Sequence, residues 1–264
     1  MSLPVDVPAE QDAAVLHEQQ AAPLARRVVA QARVEMRTVL RNGEQLVITL
    51  VLPVLLLVGL TRTSLVDLGT EDRIGLVAPG VLALAVMSTA FTSQAIATGF
   101  DRRNGVLRLL ATTPLGRRGL LTGKVLGIAG IQLLQMAVLV AVSLALGWSP
   151  AIAGVPGALL VVVLGTAAFT SLALLVAGTL RAEAVLAVAN LLWVLLLAGG
   201  AVLLPASLLP APLAEVAVLL PSGALGEALR TVLTEGAVPL VPVAVLTAWT
   251  VLLGGAAVRL FRWH

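Results

Sequence analysis

Six apolar segments dominate this sequence, and each has about the length that a helix needs to cross a membrane. At a rise of 1.5 Å per residue, about 20 residues span the hydrocarbon core. The segments cover about 45–62, 75–99, 120–147, 156–179, 184–204 and 238–258. The chain of 264 residues is 59% hydrophobic and only 12% charged, which is about half the charged fraction of a soluble domain. These features exclude a soluble enzyme and predict an all-α integral membrane protein with six transmembrane helices.

The basic residues predict the orientation of the spans. With the N-terminus inside, fourteen of the 17 Lys and Arg residues fall in inner connections, and only Arg62, Arg73 and Arg230 fall outside. Such an excess on one side is typical of cytosolic loops. Arg outnumbers Lys sixteen to one in an Ala-, Val- and Leu-rich chain, which favours a GC-rich bacterial source. We therefore expect a multi-pass protein of the bacterial cell (inner) membrane with both termini in the cytosol.

Two segments precede the first span. Residues 1–22 carry four acids and no apolar periodicity, and they predict a disordered cytosolic tail. Residues 24–42 have a helical pattern, with an apolar arc opposite five arginines, and predict an interfacial amphipathic helix. The alternative is a basic, solvated helix. The predicted apolar arc consists of Val28, Val29, Ala32, Met36, Val39 and Leu40.

Two connections are long enough to hold structure. In the cytosolic segment 100–119, Asp101 is expected to cap a short amphipathic helix that stops at Thr113-Pro114. That helix would either dock in a partner's groove or lie on lipid, and composition leaves both open. The outer segment 205–237 is apolar but interrupted by prolines. It predicts a re-entrant helical hairpin before the sixth span, with Ser222 capping its second helix, and the alternative is a cap packed on the outer face.

The sequence offers no catalytic chemistry of its own. No Asp, Glu, His, Lys or Arg lies in the middle third of a predicted span, which disfavours a proton-coupled carrier or an intramembrane hydrolase. Cys is absent and the two His lie near the termini, which disfavours a metal site. The pair Gly123-Lys124 lacks the preceding Gly and following Ser or Thr of a phosphate-binding loop. We therefore expect no cofactor on this chain, and either energy from another protein or passive transport.

Polar residues within the spans and in the outer segment are candidate functional groups. Those in the spans could line a cargo path, although such side chains more often hydrogen-bond to neighbouring helices. The outer ones could form a gate or simply meet water. The candidate path residues are Thr92, Gln94, Gln135 and Asn190, and the candidate outer gate residues are Glu215, Pro221 and Glu227.

Three stretches resemble the permeases of ABC-2 type transporters. The segment DRRNGVLRLL from Asp101 to Leu110, followed by TTPL and then Lys124, is similar to that family's segment between its second and third helices. The outer LPSG and EALR motifs, at residues 220–223 and 227–230, resemble its proline-containing stretch before the sixth helix. The tail RLFRW, from residue 259, is similar to its basic, aromatic C-terminus. Gly223 and Ala224 depart from the usual aromatic residues after the outer proline.

The resemblance implies a permease subunit of a drug- or antibiotic-type ABC exporter, with lipids and glycans as other cargo classes of the family. It also implies two copies of a cytosolic ATPase that bind ATP and Mg, and a second permease subunit, for which we expect a homodimer. Nucleic acid is not expected as a partner. An ATP-independent channel or scaffold remains the alternative. The implied ATPase-coupling residues are Asp101, Arg102, Arg103, Gly105, Leu107, Leu110 and Pro114.

Overall fold

The computed structural model describes residues 22–63, 70–106, 109 and 115–260. Helices and turns build this described part, and it contains no β-strand. The elements are α1 (Leu24–Leu40), α2 (Gly43–Arg62), α3 (Arg73–Arg103), α4 (Gly116–Ala145), α5 (Val155–Thr179), α6 (Ala182–Gly199), α7 (Ala211–Ala217), α8 (Pro221–Glu235) and α9 (Leu240–Leu260).

Six of these helices are long and apolar enough to cross a membrane, namely α2, α3, α4, α5, α6 and α9. The predicted all-α membrane fold with six spans is therefore confirmed. The bounds differ most at the fifth span, where α6 ends at Gly199 rather than at residue 204. The chain breaks there because Gly199 and Gly200 are weak helix formers and Ala201 adopts a left-handed backbone conformation, with φ of 50°.

The third element, α3, is the centre of the bundle. Its apolar stretch is 83% buried, whereas only 17–33% of the corresponding stretch is buried in each of the other five spans. Exposed apolar side chains on the outer spans are expected for helices that face lipid. Helix α3 is therefore the span that the other helices enclose, and it connects the two ends of the bundle.

The N-terminal helix α1 packs along α4 through a row of glycines. A methyl group at Gly127 would lie 2.7 Å from Cβ of Glu35, and one at Gly123 would lie 2.6 Å from Cγ of Gln31. Small residues allow two helix backbones to approach this closely. Val28 and Ala32 are buried on the side of α1 that faces these glycines. Part of the arc predicted to lie in lipid therefore packs on α4 instead, while the position of α1 at the membrane interface stays a prediction.

The two helices of the outer segment meet at a sharp bend. The axes of α7 and α8 form an angle of 85°, so the two helices do not make one continuous span. That this bent pair enters the membrane and returns to the same side remains a prediction. Helix α8 begins with Pro221 at its first position and Leu220 as its N-cap residue. The prediction that Ser222 caps this helix is wrong, because proline is itself favoured at the first helical position and places Ser222 inside the first turn, where it is buried.

Candidate functional site

The buried ammonium group of Lys124 joins three helices at one end of the bundle. Its Nζ atom lies 2.7 Å from Oδ2 of Asp101 on α3 and 3.0 Å from Oε1 of Glu35 on α1. Lys124 is only 6% exposed, so its charge depends on these two carboxylates for stabilisation. The amide of Gln31 also donates to Glu35 Oε1, at 2.9 Å. We call Glu35, Asp101 and Lys124 the charge clamp, and the end of the bundle that holds it the basic end.

The charge clamp corrects the predicted role of Asp101. Helix α3 continues through Arg103, so Asp101 lies within its last turn and does not cap a new helix. Its carboxylate pairs with Lys124 because the first turns of α4 pass alongside the end of α3. Most of the predicted short helix after α3 lies outside the described residues, and Asp101 instead holds the end of α3 in place.

The chain reverses direction immediately after the charge clamp. Gly105 has a φ of 72°, which glycine adopts without the steric cost that a side chain would impose. The N–H of Leu109 then donates to the carbonyl of Gly105 at 3.0 Å, and the Leu109 side chain is 67% exposed. Of the other predicted coupling residues, Leu107, Leu110 and Pro114 lie outside the described residues. Helical turns with an exposed leucine beside a fixed helix end are suited to contact a partner.

Arg102 and Arg103 connect the end of α3 to the start of α6. Nη2 of Arg102 donates to the carbonyl of Leu180, which directly follows α5. Nη1 of Arg103 lies 2.9 Å from Oε1 of Glu183, and both side chains are more than half exposed. An exposed pair of this kind contributes about 0–1 kcal/mol. The buried charge clamp and the Arg102 contact therefore hold the segment more firmly than the surface pair does.

Polar side chains inside the bundle bind neighbouring helices. Gln135 of α4 donates to the carbonyl of Thr49 at 2.6 Å and accepts from the Thr89 hydroxyl at 2.9 Å. Nε1 of Trp193 on α6 donates to the Ser88 hydroxyl at 2.9 Å. All three hydrogen bonds involve residues of π-helical turns, Val47–Val51 in α2 and Ser88–Ser93 in α3. Such turns interrupt the regular α-helical pattern and are frequent at functional sites.

The four candidate cargo path residues lie in different settings. Gln135 is buried in the contacts above, and Asn190 is exposed on α6. Gln94 borders a small cavity of about 30 Å³ that Glu35 and Gln45 also line. Thr92 is partly buried, and its hydroxyl has no hydrogen-bond partner within the described part of the chain. Their role as a path stays a prediction, and Asn190 is the one that presents a polar group on the surface of a span.

At the opposite end, one candidate gate residue, Glu227, pairs with the buried Arg230. Nη2 of Arg230 donates to the carbonyl of Ala201 at 2.9 Å, and its Nε lies 3.4 Å from Oε2 of Glu227. Glu227 and Arg230 border two cavities of about 300 and 240 Å³. Pro221 is buried at the start of α8, whereas Glu215 is exposed on α7. The structure thus brings Glu227 together with Arg230, and it places Glu215 on the other arm of the bend.

Three charged residues of these clusters were not predicted as site residues, namely Glu35, Lys124 and Arg230; Lys124 and Arg230 entered as parts of the stretches that resemble the family. Glu35 is the single acidic residue of α1. One carboxylate on an arginine-rich helix indicates an ion pair with a basic side chain. Arg230 follows Glu227 by three positions on one helix, a spacing at which opposite charges meet. Each signal was present in the sequence, but the partners come from other helices and depend on how those helices are rotated.

A bundle of six helices that are long and apolar enough to cross a membrane defines a polytopic membrane protein. A family model described as ABC-2 family transporter protein matches residues 72–261. The chain therefore belongs to the ABC-2 transporter family, in which it is a membrane component of an ABC transporter and not itself the catalytic subunit. No curated protein matches the sequence.

Proposed function

We propose that this chain is the permease subunit of an ATP-driven exporter, in which it forms the path for a hydrophobic or amphipathic cargo such as a drug, an antibiotic, a lipid or a glycan. ATP and Mg bind to a separate cytosolic ATPase, present in two copies, and a second copy of the permease completes the path. The basic end faces the cytosol of a bacterial cell, together with both termini. Family membership supports the transporter class.

The charge clamp is the observation that carries the coupling proposal. The exposed turn at Val106 and Leu109 follows α3 directly, and Lys124 joins the end of α3 to α1 and α4. A displacement of that turn by a bound ATPase would therefore move three helices together. Lys124 is buried and pairs with both carboxylates at once, so separating the helices would leave its ammonium group without a counter-ion, which disfavours their separation.

The mechanism follows from this connection. ATP binding closes the ATPase dimer and moves the turn after α3, and the movement passes through the charge clamp into α1, α3 and α4. Because α3 is also joined to α6 through Ser88 and Trp193, the spans of the two permease copies repack and open the path outward. ATP hydrolysis then resets the arrangement. The lack of titratable groups in the middle of the spans is consistent with energy supplied from outside the chain.

The decisive experiment is purification of the tagged chain from its native membrane in a mild detergent, with identification of the bound proteins and measurement of Mg-dependent ATP hydrolysis. We expect a stoichiometric ATPase that contains a phosphate-binding loop. It should be lost when Leu107 and Leu110 are replaced by Asp, and retained in the matched control Thr63→Asp, which adds a charge at the opposite end. Recovery of the chain alone in several detergents would instead support the ATP-independent channel or scaffold.

A second variant separates docking from coupling. Glu35→Gln weakens the charge clamp but changes nothing on the turn after α3, so the ATPase should still co-purify while its stimulation by the permease falls several-fold. Glu235→Gln, at the far end of α8, is the control and should leave stimulation unchanged. Equal stimulation in both variants would contradict the assignment of the clamp to coupling.

A further inference from the structure

A second, more open cavity lies at the basic end, beside the charge clamp. It has a volume of about 410 Å³ and lies between the end of α3 and the start of α6. Arg102, Arg103, Arg181 and Glu183 line it, and small residues, among them Gly99 and Gly105, leave its interior free of bulky side chains. This volume is within the range of pockets that hold small ligands.

The cavity carries more positive charge than its own carboxylate can neutralise. Glu183 pairs with Arg103 at 2.9 Å, while Arg102 is held by a backbone carbonyl, which bears no charge. The side chain of Arg181 makes no hydrogen bond or ion pair within the ranges that the structure describes. Arg102 and Arg181, on different elements, therefore line the same cavity without a carboxylate partner among the described residues.

The chemistry of the lining favours phosphate. The planar guanidinium fork binds phosphate oxygens through two parallel hydrogen bonds. Ala182 and Glu183 begin α6, and its N-cap residue Arg181 provides no side-chain cap. The backbone N–H groups of that first turn add hydrogen-bond donors beside the arginines. The positive charge of the cavity comes from the arginine side chains.

The surface above the cavity favours a lipid as the source of the phosphate. Leu186 lies three and four positions after the lining residues Glu183 and Ala182, so it continues the same face of α6 into the span. It is 42% exposed, so apolar surface begins one turn above the cavity, and the exposed Asn190 follows on the same side of α6. We infer that this cavity binds the headgroup phosphate of an anionic phospholipid whose acyl chains pass Leu186 at the start of α6. Basic pockets at the cytosolic ends of spans are suited to such headgroups.

The inference does not depend on the proposed ATPase coupling, because it requires only a membrane-spanning bundle with this basic end. An acidic segment of a partner protein would match the same charges but would not use the apolar face that begins at Leu186. A free phosphate ion would likewise leave that face unused. Both are separate outcomes of the experiment.

The test is lipid binding to the full-length chain, delipidated in detergent and followed by native mass spectrometry. Phosphatidylglycerol is the anionic probe, phosphatidylcholine the zwitterionic one, and inorganic phosphate the competitor. Arg181 is exposed, so Arg181→Gln should fold normally, with monodisperse elution as the check. Arg259→Gln is the matched control, since Arg259 is an exposed arginine at the same end, on α9, and outside the cavity.

We expect one tightly bound phosphatidylglycerol per chain, with an affinity roughly tenfold lower in Arg181→Gln, as befits loss of a charge-assisted hydrogen bond. Arg259→Gln should bind as the unmodified chain does. Equal binding of phosphatidylcholine, equal affinity in the two variants, or displacement by inorganic phosphate at concentrations near the lipid's own would overturn the inference. So would a loss of ATPase co-purification in Arg181→Gln with lipid binding unchanged, since that would assign the cavity to a protein partner.

Discussion

Nζ of Lys124 lies 2.7 Å from Oδ2 of Asp101, and this contact fixes the last turn of α3 against the start of α4. Glu35 completes the arrangement from α1. The basic end of the bundle is thus held together by charges on three helices that are distant in sequence. Several measurable consequences follow from this contact and from the packing around it.

Replacing Lys124 with Met should destabilise the chain by about 1–3 kcal/mol, because Glu35 and Asp101, whose side chains are 27% and 29% exposed, would lose a charged hydrogen-bond donor. Thermal unfolding in detergent measures this change. Arg103→Gln is the control, since it removes only an exposed pair with Glu183 and should cost less than about 1 kcal/mol. Neutralising Glu35 and Asp101 as well should recover much of the loss in Lys124→Met. Equal effects of the Lys124 and Arg103 variants would contradict the buried clamp.

Replacing Gly127 with Ala should loosen α1 from α4, because the added methyl would lie 2.7 Å from Cβ of Glu35. An overpacked contact of this kind costs typically about 1–3 kcal/mol. Limited proteolysis within α1 should become faster in the variant. Gly59→Ala, in α2, is the matched control because a methyl there meets no atom within 4 Å, and a similar rate of proteolysis in both variants would count against the close contact.

Single cysteines should reveal the orientation of the bundle. The chain contains no Cys, so each introduced thiol is the only one present. A membrane-impermeant maleimide should label Ser207→Cys in intact cells and should label Leu109→Cys only after the membrane is opened. Both positions are exposed, so access of the reagent depends on the side of the membrane. The reverse pattern would invert the orientation that the basic residues predict.

Replacing Arg230 with Met should destabilise the outer end by about 1–3 kcal/mol, since the buried carbonyls of Ala201 and Val202 would lose their donors. Glu227→Gln should have a smaller effect because the Glu227 side chain is 48% exposed. Thermal unfolding of the two variants compares them directly. A larger loss in Glu227→Gln would indicate that the ion pair, rather than the carbonyl contacts, holds this end.

The spans could be predicted from the sequence because hydrocarbon thickness imposes a length on any apolar helix. The early end of α6 shows the limit of that reasoning, since apolar residues continue through Val202 and Leu203 although the helix stops at Gly199. The sequence pointed to Asp101 and Lys124 as part of a family motif. It did not indicate that they meet each other and Glu35, because such pairing depends on the rotation of helices that are far apart in the chain. The π-helical turns in α2 and α3 were likewise not predicted, because no pattern of residues in the sequence marks them.

The glycine row on α4 has a mechanical consequence. Side chains between two helices act as a compliant layer, because their rotamers adjust when the helices shift. At Gly123 and Gly127 that layer is missing on the α4 side, and the inner side-chain carbons of Gln31 and Glu35 on α1 rest directly on the backbone of α4. Helix α4 has 30 residues and is therefore about 45 Å long. We therefore expect α1 and α4 to move as one rigid body. A displacement of α1 at the basic end would then tilt the far end of α4, with little local rearrangement of side chains.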